Sequence, residues 1–131
     1  NHVYSNNEET RNLGRFVGET IMSDGVPTAV ILVSGLSQRF FTREIDLRED
    51  GFANTADDTW NRKMLDLIVS RSDEKANALL EAFAKESKAD SGFKAMAFAM
   101  GLKSVVADPA PPELLAYGPV YGTGQAVLRL F

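Results

Sequence analysis

The chain has 131 residues, of which 44% are apolar and 24% charged, enough for one globular domain that buries about two thirds of its unfolded surface. Fourteen basic residues are outnumbered by eighteen acidic ones, giving a net charge of −4 and a pI near 5.0 with no basic face, which argues against nucleic acid or an anionic membrane as partner. Cysteine is absent, so disulfides, thiolate metal sites and cysteine nucleophiles are excluded together. No apolar run reaches membrane-span length and no signal-peptide pattern is present, so a cytoplasmic protein is expected.

Residues 8–24 place Leu13, Phe16, Val17 and Ile21 at helical spacing, with Asn6 or Asn7 as N-cap, Glu8 and Glu9 in the first turn and Gly25 closing the helix. Pro27 bars continuation, and the β-branched run 28–33 follows. It is apolar throughout rather than alternating, which predicts a central strand covered on both faces by helices. The turn Ser34-Gly35-Leu36-Ser37-Gln38 comes next, at the carboxyl end of that strand, where open α/β sheets place their chemistry. Gln38 occupies a catalytic position with a side chain that hydrogen-bonds but cannot take or give a proton at neutral pH.

Residues 40–56 dissolve into charges and predict a long surface loop. Asp57 or Asp58 caps a helix whose apolar side carries Trp60, Met64, Leu67 and Ile68. Ser72 caps a second helix, with Ala76, Leu79, Leu80, Phe83 and Ala84 on one face and Lys75, Glu81, Lys85 and Glu86 on the other. A third spans 91–100, burying Phe93, Met96, Ala97 and Met100 and ending at Gly101. After the proline-rich stretch 109–112 the chain returns at 114–117 and 125–131, the latter alternating like an edge strand. The fold class is therefore α/β, helices packed on a mainly central mixed sheet.

Few residues offer chemistry. His2 is the single histidine, which leaves no histidine-rich metal site or triad within the chain. Asp46, Glu49, Asp50, Asp57 and Asp58 match no EF-hand loop and are interleaved with Arg48 and nearby bases, so they read as a solvated loop. Gly118, Gly122 and Gly124 mark a tight turn; the segment after them reads as a strand rather than the helix that cradles phosphate.

The order of these pieces carries a resemblance. Leu13-Gly14-Arg15 in the first helix, the strand 30–33 with its Ser34-Gly35-Leu36-Ser37 turn, and Phe52-Ala53-Asn54 before the helix of Trp60 and Met64 resemble the C-terminal half of the class III extradiol (LigB-like) ring-cleavage dioxygenases. Within that family Asp90-Ser91-Gly92-Phe93-Lys94 opening a helix and the tail from Tyr117 to Leu128 look nearest to subunits of 2-aminophenol 1,6-dioxygenases, of the non-catalytic alpha type. The resemblance spans nearly all of the chain, and its specific parts are the turn and the glycine-rich tail.

The resemblance implies an Fe(II) site of two histidines and a glutamate, with a further histidine after the Gly-Leu-Ser turn as acid/base. The iron-binding histidines belong to an N-terminal half that this sequence does not contain. Gln38 stands at the acid/base position and Asp90 is the carboxylate nearest the glutamate's place, one methylene shorter. Both are degenerate positions. The implied chain has no catalytic residue and no metal ligand of its own, keeps Ser34, Gly35, Leu36, Ser37 and Gln38 as a substrate-pocket remnant, and works beside a homologous catalytic subunit that holds the Fe(II). Three readings stay open: that assembly subunit, a part of an active dioxygenase with a rerouted proton relay, and an unrelated small α/β binding module. The sequence opens Asn1-His2-Val3-Tyr4 without methionine just before a capped helix, so an upstream strand is expected in a longer form, and with it exposed apolar surface and association.

Overall fold

The computed structural model describes residues 4–107 and 109–131; His2 and Asp108 lie outside the described residues. Among the described residues the regular structure comprises four α-helices, one hairpin and two short 3₁₀ turns at Leu47–Glu49 and Asp90–Phe93; the longer elements are α1 (Asn7–Asp24), α2 (Thr55–Val69), α3 (Asp73–Ser87), α4 (Lys94–Lys103), β1 (Glu113–Val120) and β2 (Thr123–Arg129). The α/β class holds, with a sheet smaller than expected. β1 and β2 pair antiparallel, Glu113 opposite Arg129 and Val120 opposite Thr123, with a bulge at Leu115.

Local chemistry explains the helix boundaries. Asn6 accepts from the Glu9 N–H while Glu9 reaches back to the Asn6 N–H, a reciprocal box that starts α1. Gly25, at φ 65°, ends it in the left-handed conformation that glycine adopts without penalty. Asn54, rather than Asp57 or Asp58, caps α2 by accepting from the Ala56 N–H. Ser72 precedes α3 as expected but makes no side-chain cap bond. Gly101 does not end α4, which runs on to Lys103, because Gly101 serves a packing purpose described below.

The core lies between α2, α3, α4 and the inner face of the hairpin. Met64, Leu65, Ile68, Ala76, Leu80, Phe83, Phe93, Ala97 and Ala99 are buried together with Leu36, and Tyr117, Ala126, Leu128 and Leu130 of the hairpin region pack against them. The Phe83 and Phe93 rings meet at 4.9 Å, tilted. Each fully buried large side chain contributes about 1.5–3 kcal/mol by leaving water.

Two expectations are corrected. The first is the central strand: residues 28–33 have no regular structure, all six are exposed, and no backbone hydrogen bond joins them to another segment among the described residues. A strand that is apolar on both faces needs neighbours on both edges, and among the described residues the hairpin strands form their ladder with each other, bonding beyond it to Leu36 and Ser37 but not to 28–33. The sheet is accordingly a two-stranded antiparallel one rather than mixed. The second is the buried face of α1. Phe16 is 64% exposed and Leu13 is exposed too, while Thr10, Gly14 and Gly18 are buried. Helix α1 packs on α4 through glycine: a Cβ on Gly14 would strike the Phe98 carbonyl, and one on Gly101 would strike the Arg11 carbonyl. Apolar spacing located the helix, but small residues chose its contact, since only they let two backbones approach this closely.

Candidate functional site

The turn 34–38 is held from three sides. Leu36 N–H donates to the Gly124 carbonyl at 3.1 Å, and Gly124 N–H donates to Ser37, to its carbonyl at 3.0 Å and its Oγ at 2.9 Å. Gln38 N–H donates to the Ser87 carbonyl at 3.3 Å, occupying one of the carbonyls that the end of α3 leaves open. From α2, Asn61 Nδ2 donates to Ser37 Oγ at 2.9 Å, with both residues fully buried. A side chain on Gly124 would fill the space of the Asn61 amide and Ser37 hydroxyl, so glycine there is a requirement of close approach. The Gly-Leu-Ser turn and the glycine-rich tail, 87 residues apart in sequence, are thus one assembly.

Arg39 extends this clasp. Its guanidinium pairs with Asp57 of α2 and donates to the Glu86 carbonyl at 2.7 Å, placing a cation at the negative end of α3. Asp57 is wholly buried, contrary to its reading as a solvated carboxylate. Burial pushes its carboxyl above the ordinary 3.8 and outweighs the opposing pull of Arg39. Its Oδ2, like Asn61 Oδ1, meets no hydrogen-bond partner among the described residues. Asp58, one residue on, shows the opposite result: burial pushes its carboxyl up, but the Tyr117 hydroxyl at 2.7 Å and Arg62 together hold it below 3.8. Tyr117 stacks on Phe52 at 5.8 Å, and burial, then its bond to Asp58, raises its phenol far above the ordinary 10.0.

The charged loop 40–53 is tied to the hairpin turn. Tyr121 and Gly122, at φ 50° and 93°, form a two-residue turn with both centres left-handed. Asp50 accepts from both of their N–H groups, at 2.8 and 3.3 Å. Phe41 N–H donates to the Tyr121 carbonyl and Ala53 N–H to that of Gly122. Asp50, partly exposed, is therefore an anchor of the turn.

The residues singled out in the sequence fall into two places. Gly35, Leu36 and Ser37 are buried in the clasp, with the partly exposed Gln38 amide folded over Gly35 close to Gln125 Nε2. Ser34 and Asp90 instead border a cleft of about 350 Å³, whose walls also include Leu32, Lys94, Ala95 and Phe98. Asp90 reaches that cleft on a tight turn in which Ser91, Gly92 and Phe93 all have left-handed φ of 48°, 67° and 57°. Its Oδ1 accepts from Ser91 Oγ at 3.1 Å. Among the described residues no three His, Cys, Asp or Glu side chains come together. The chemistry these groups offer is hydrogen bonding by Gln38 and charge pairing by Asp90.

Asn61 and the Arg39–Asp57 pair were not singled out in the sequence as parts of this assembly. The signal for Asn61 was present: it sits on the inward stripe of α2 with Met64, Leu65 and Ile68, where a polar side chain must find a buried partner.

No family model matches the chain. Over 129 residues, 98% of the chain, it is 31% identical to the 2-aminophenol 1,6-dioxygenase alpha subunit of a Pseudomonas species. This similarity supports the dioxygenase family. The chain spans 47% of that relative's length, about half. The match leaves out about 2% of the chain, so it takes in the turn, the Asp90 segment and both ends of the clasp. No helix among the described residues is long and apolar enough to cross a membrane.

Proposed function

We propose that this chain is, or is part of, a non-catalytic alpha-type subunit of a LigB-like extradiol dioxygenase that opens 2-aminophenol or a catechol-like ring. It works in the cytoplasm, binds no Fe(II) itself, and supports a homologous catalytic subunit that carries the metal. The observation that carries the reading is Gln38. An amide stands after the Gly-Leu-Ser turn, where ring cleavage needs a group that moves a proton. The backbone of the turn around it is fixed by hydrogen bonds with Gly124 and Ser87. A firmly held turn that presents no proton carrier suits an assembly role. Similarity to a relative named as an alpha subunit supports the same reading.

Co-expression with a histidine-complete homologous subunit tests it. The chain is expected to co-purify with that subunit, to bind no stoichiometric Fe(II) alone, and to cleave neither catechol nor 2-aminophenol alone. Turnover by the isolated chain would sink the proposal, as would a catalytic subunit equally active without it.

A further inference from the structure

Three of the six lysines line one cleft. It lies where the start of α1, the end of α3 and the turn into α4 meet, and has a volume of about 580 Å³. Lys85, Lys88 and Lys94 share its walls with the side-chain amides of Asn6 and Asn7, and Glu81 is the single acid on the lining among the described residues. The cleft therefore carries an excess of positive charge in a chain whose net charge is −4.

Lys85 and Lys88 lie three residues apart, about one helical turn, as like charges that repel. Arg39, Arg48, Arg62, Lys103 and Arg129 each pair with a carboxylate, whereas Lys85 and Lys88 make no ion pair or side-chain hydrogen bond among the described residues. Lys88 also occupies a backbone that disfavours it: it ends α3 at φ 54° and ψ 41°, the left-handed conformation glycine adopts without penalty. The negative end of α3 favours a nearby cation, but Lys85 in the last turn and the Arg39 guanidinium on the Glu86 carbonyl already supply two. Helix stability alone thus leaves Lys88 without a reason.

We infer that this cleft binds a small dianionic oxyanion, a phosphate group or a dicarboxylate, held by Lys85 and Lys88 of α3 and Lys94 of α4. A dianion offsets the excess charge and removes the repulsion between Lys85 and Lys88. A cleft of this volume suits a small molecule, and the chain has no extended basic track for a nucleic-acid strand. The inference goes beyond the assembly role proposed above and does not depend on it.

Isothermal titration calorimetry tests it on this chain with inorganic phosphate and with succinate, at constant chloride and mildly alkaline pH, where both are doubly ionised. Saturable one-site binding of at least one dianion is expected, with acetate about tenfold weaker. Saturation by phosphate alone would assign a phosphoryl group, and by succinate alone a dicarboxylate. Lys88→Gly should weaken binding by about tenfold or more while keeping or raising the melting temperature, because glycine relieves the left-handed residue. Lys85→Gln should weaken it likewise. Lys75→Gln removes the same charge from an exposed position of α3 outside the cleft, and should leave binding within about twofold. Absence of saturable binding by either dianion would overturn the inference. So would acetate binding as tightly, or an equal weakening by Lys75→Gln, which would reduce the effect to general charge attraction.

Discussion

Asn61 of α2 donates its amide hydrogen to the hydroxyl of Ser37, 24 residues earlier, and both side chains are sealed from solvent. This bond fixes the turn to a helix, and the same hydroxyl accepts from Gly124 and fixes it to the hairpin. One oxygen atom joins three parts of the fold.

Ser37→Ala is therefore expected to destabilise the chain by about 2 kcal/mol, because the buried Asn61 amide loses its acceptor, while Gly124 N–H keeps only the Ser37 carbonyl. Gln38→Ala, at a partly exposed position, should stay within about 0.5 kcal/mol of the parent. Urea unfolding of the two variants measures both. Equal effects would mean that the hydroxyl does not organise the turn.

Removing Arg39 leaves the Asp57 carboxyl buried without its cation. Arg39→Gln should cost about 3 kcal/mol at neutral pH, with a smaller loss near pH 4, where the carboxyl takes up a proton in place of the pairing. A pH-independent loss would mean that the guanidinium acts through packing alone.

Asp57 and Asp58 should show opposite pH dependences. The folded Asp57 holds its proton above 3.8, where the unfolded chain has released it, so its contribution grows as pH falls from the raised value to 3.8. Asp58 is held below 3.8, so its contribution is present above 3.8 and is lost as pH falls through its folded pKa. Stability measured against pH for Asp57→Asn and Asp58→Asn, each relative to the parent, should diverge in opposite directions; parallel curves would contradict the assignment.

Gly101→Ala brings a methyl group against the Arg11 backbone. The gain in helix propensity, about 1 kcal/mol, is outweighed by overpacking that no rotamer change relieves, so a net loss of about 1–2 kcal/mol is expected. Gly51→Ala, where a Cβ meets nothing within 4 Å, serves as the control. A thermal melt that rises for Gly101→Ala would show that the helices separate without cost.

Gln38→His should bring neither ring cleavage nor stoichiometric Fe(II) binding, because one imidazole adds a proton carrier without the remaining ligands. Metal content and oxygen uptake measure this. Activity in that variant would place a complete iron site in the chain.

The sequence made the helices legible because periodicity and caps are local: α1, α3 and the Phe93–Met96–Ala97 side of α4 follow from spacing alone. The turn stood out through its glycine and its position after an apolar run. Pairing was not legible. Whether 28–33 finds a neighbour depends on polypeptide that its own residues cannot specify, and the glycine contact of α1 depends on where α4 lies. The clasp was hidden for the same reason, since Ser37, Asn61 and Gly124 are distant in sequence and each is unremarkable alone. Asp57 and Asp58 differ in environment only because α2 turns one toward Arg39 and the other toward Tyr117.

The tie between Asp50 and the hairpin turn divides the charged loop into two mechanical regimes. Residues 46–49 are exposed, with Leu47 open to solvent on a single turn of 3₁₀ helix, whereas Asp50, Phe52 and Ala53 are laced to Tyr121 and Gly122. A protease should cut in the first stretch and leave a nicked molecule whose two pieces stay joined. The same stretch is where a tag or a label can be inserted without loosening the hairpin.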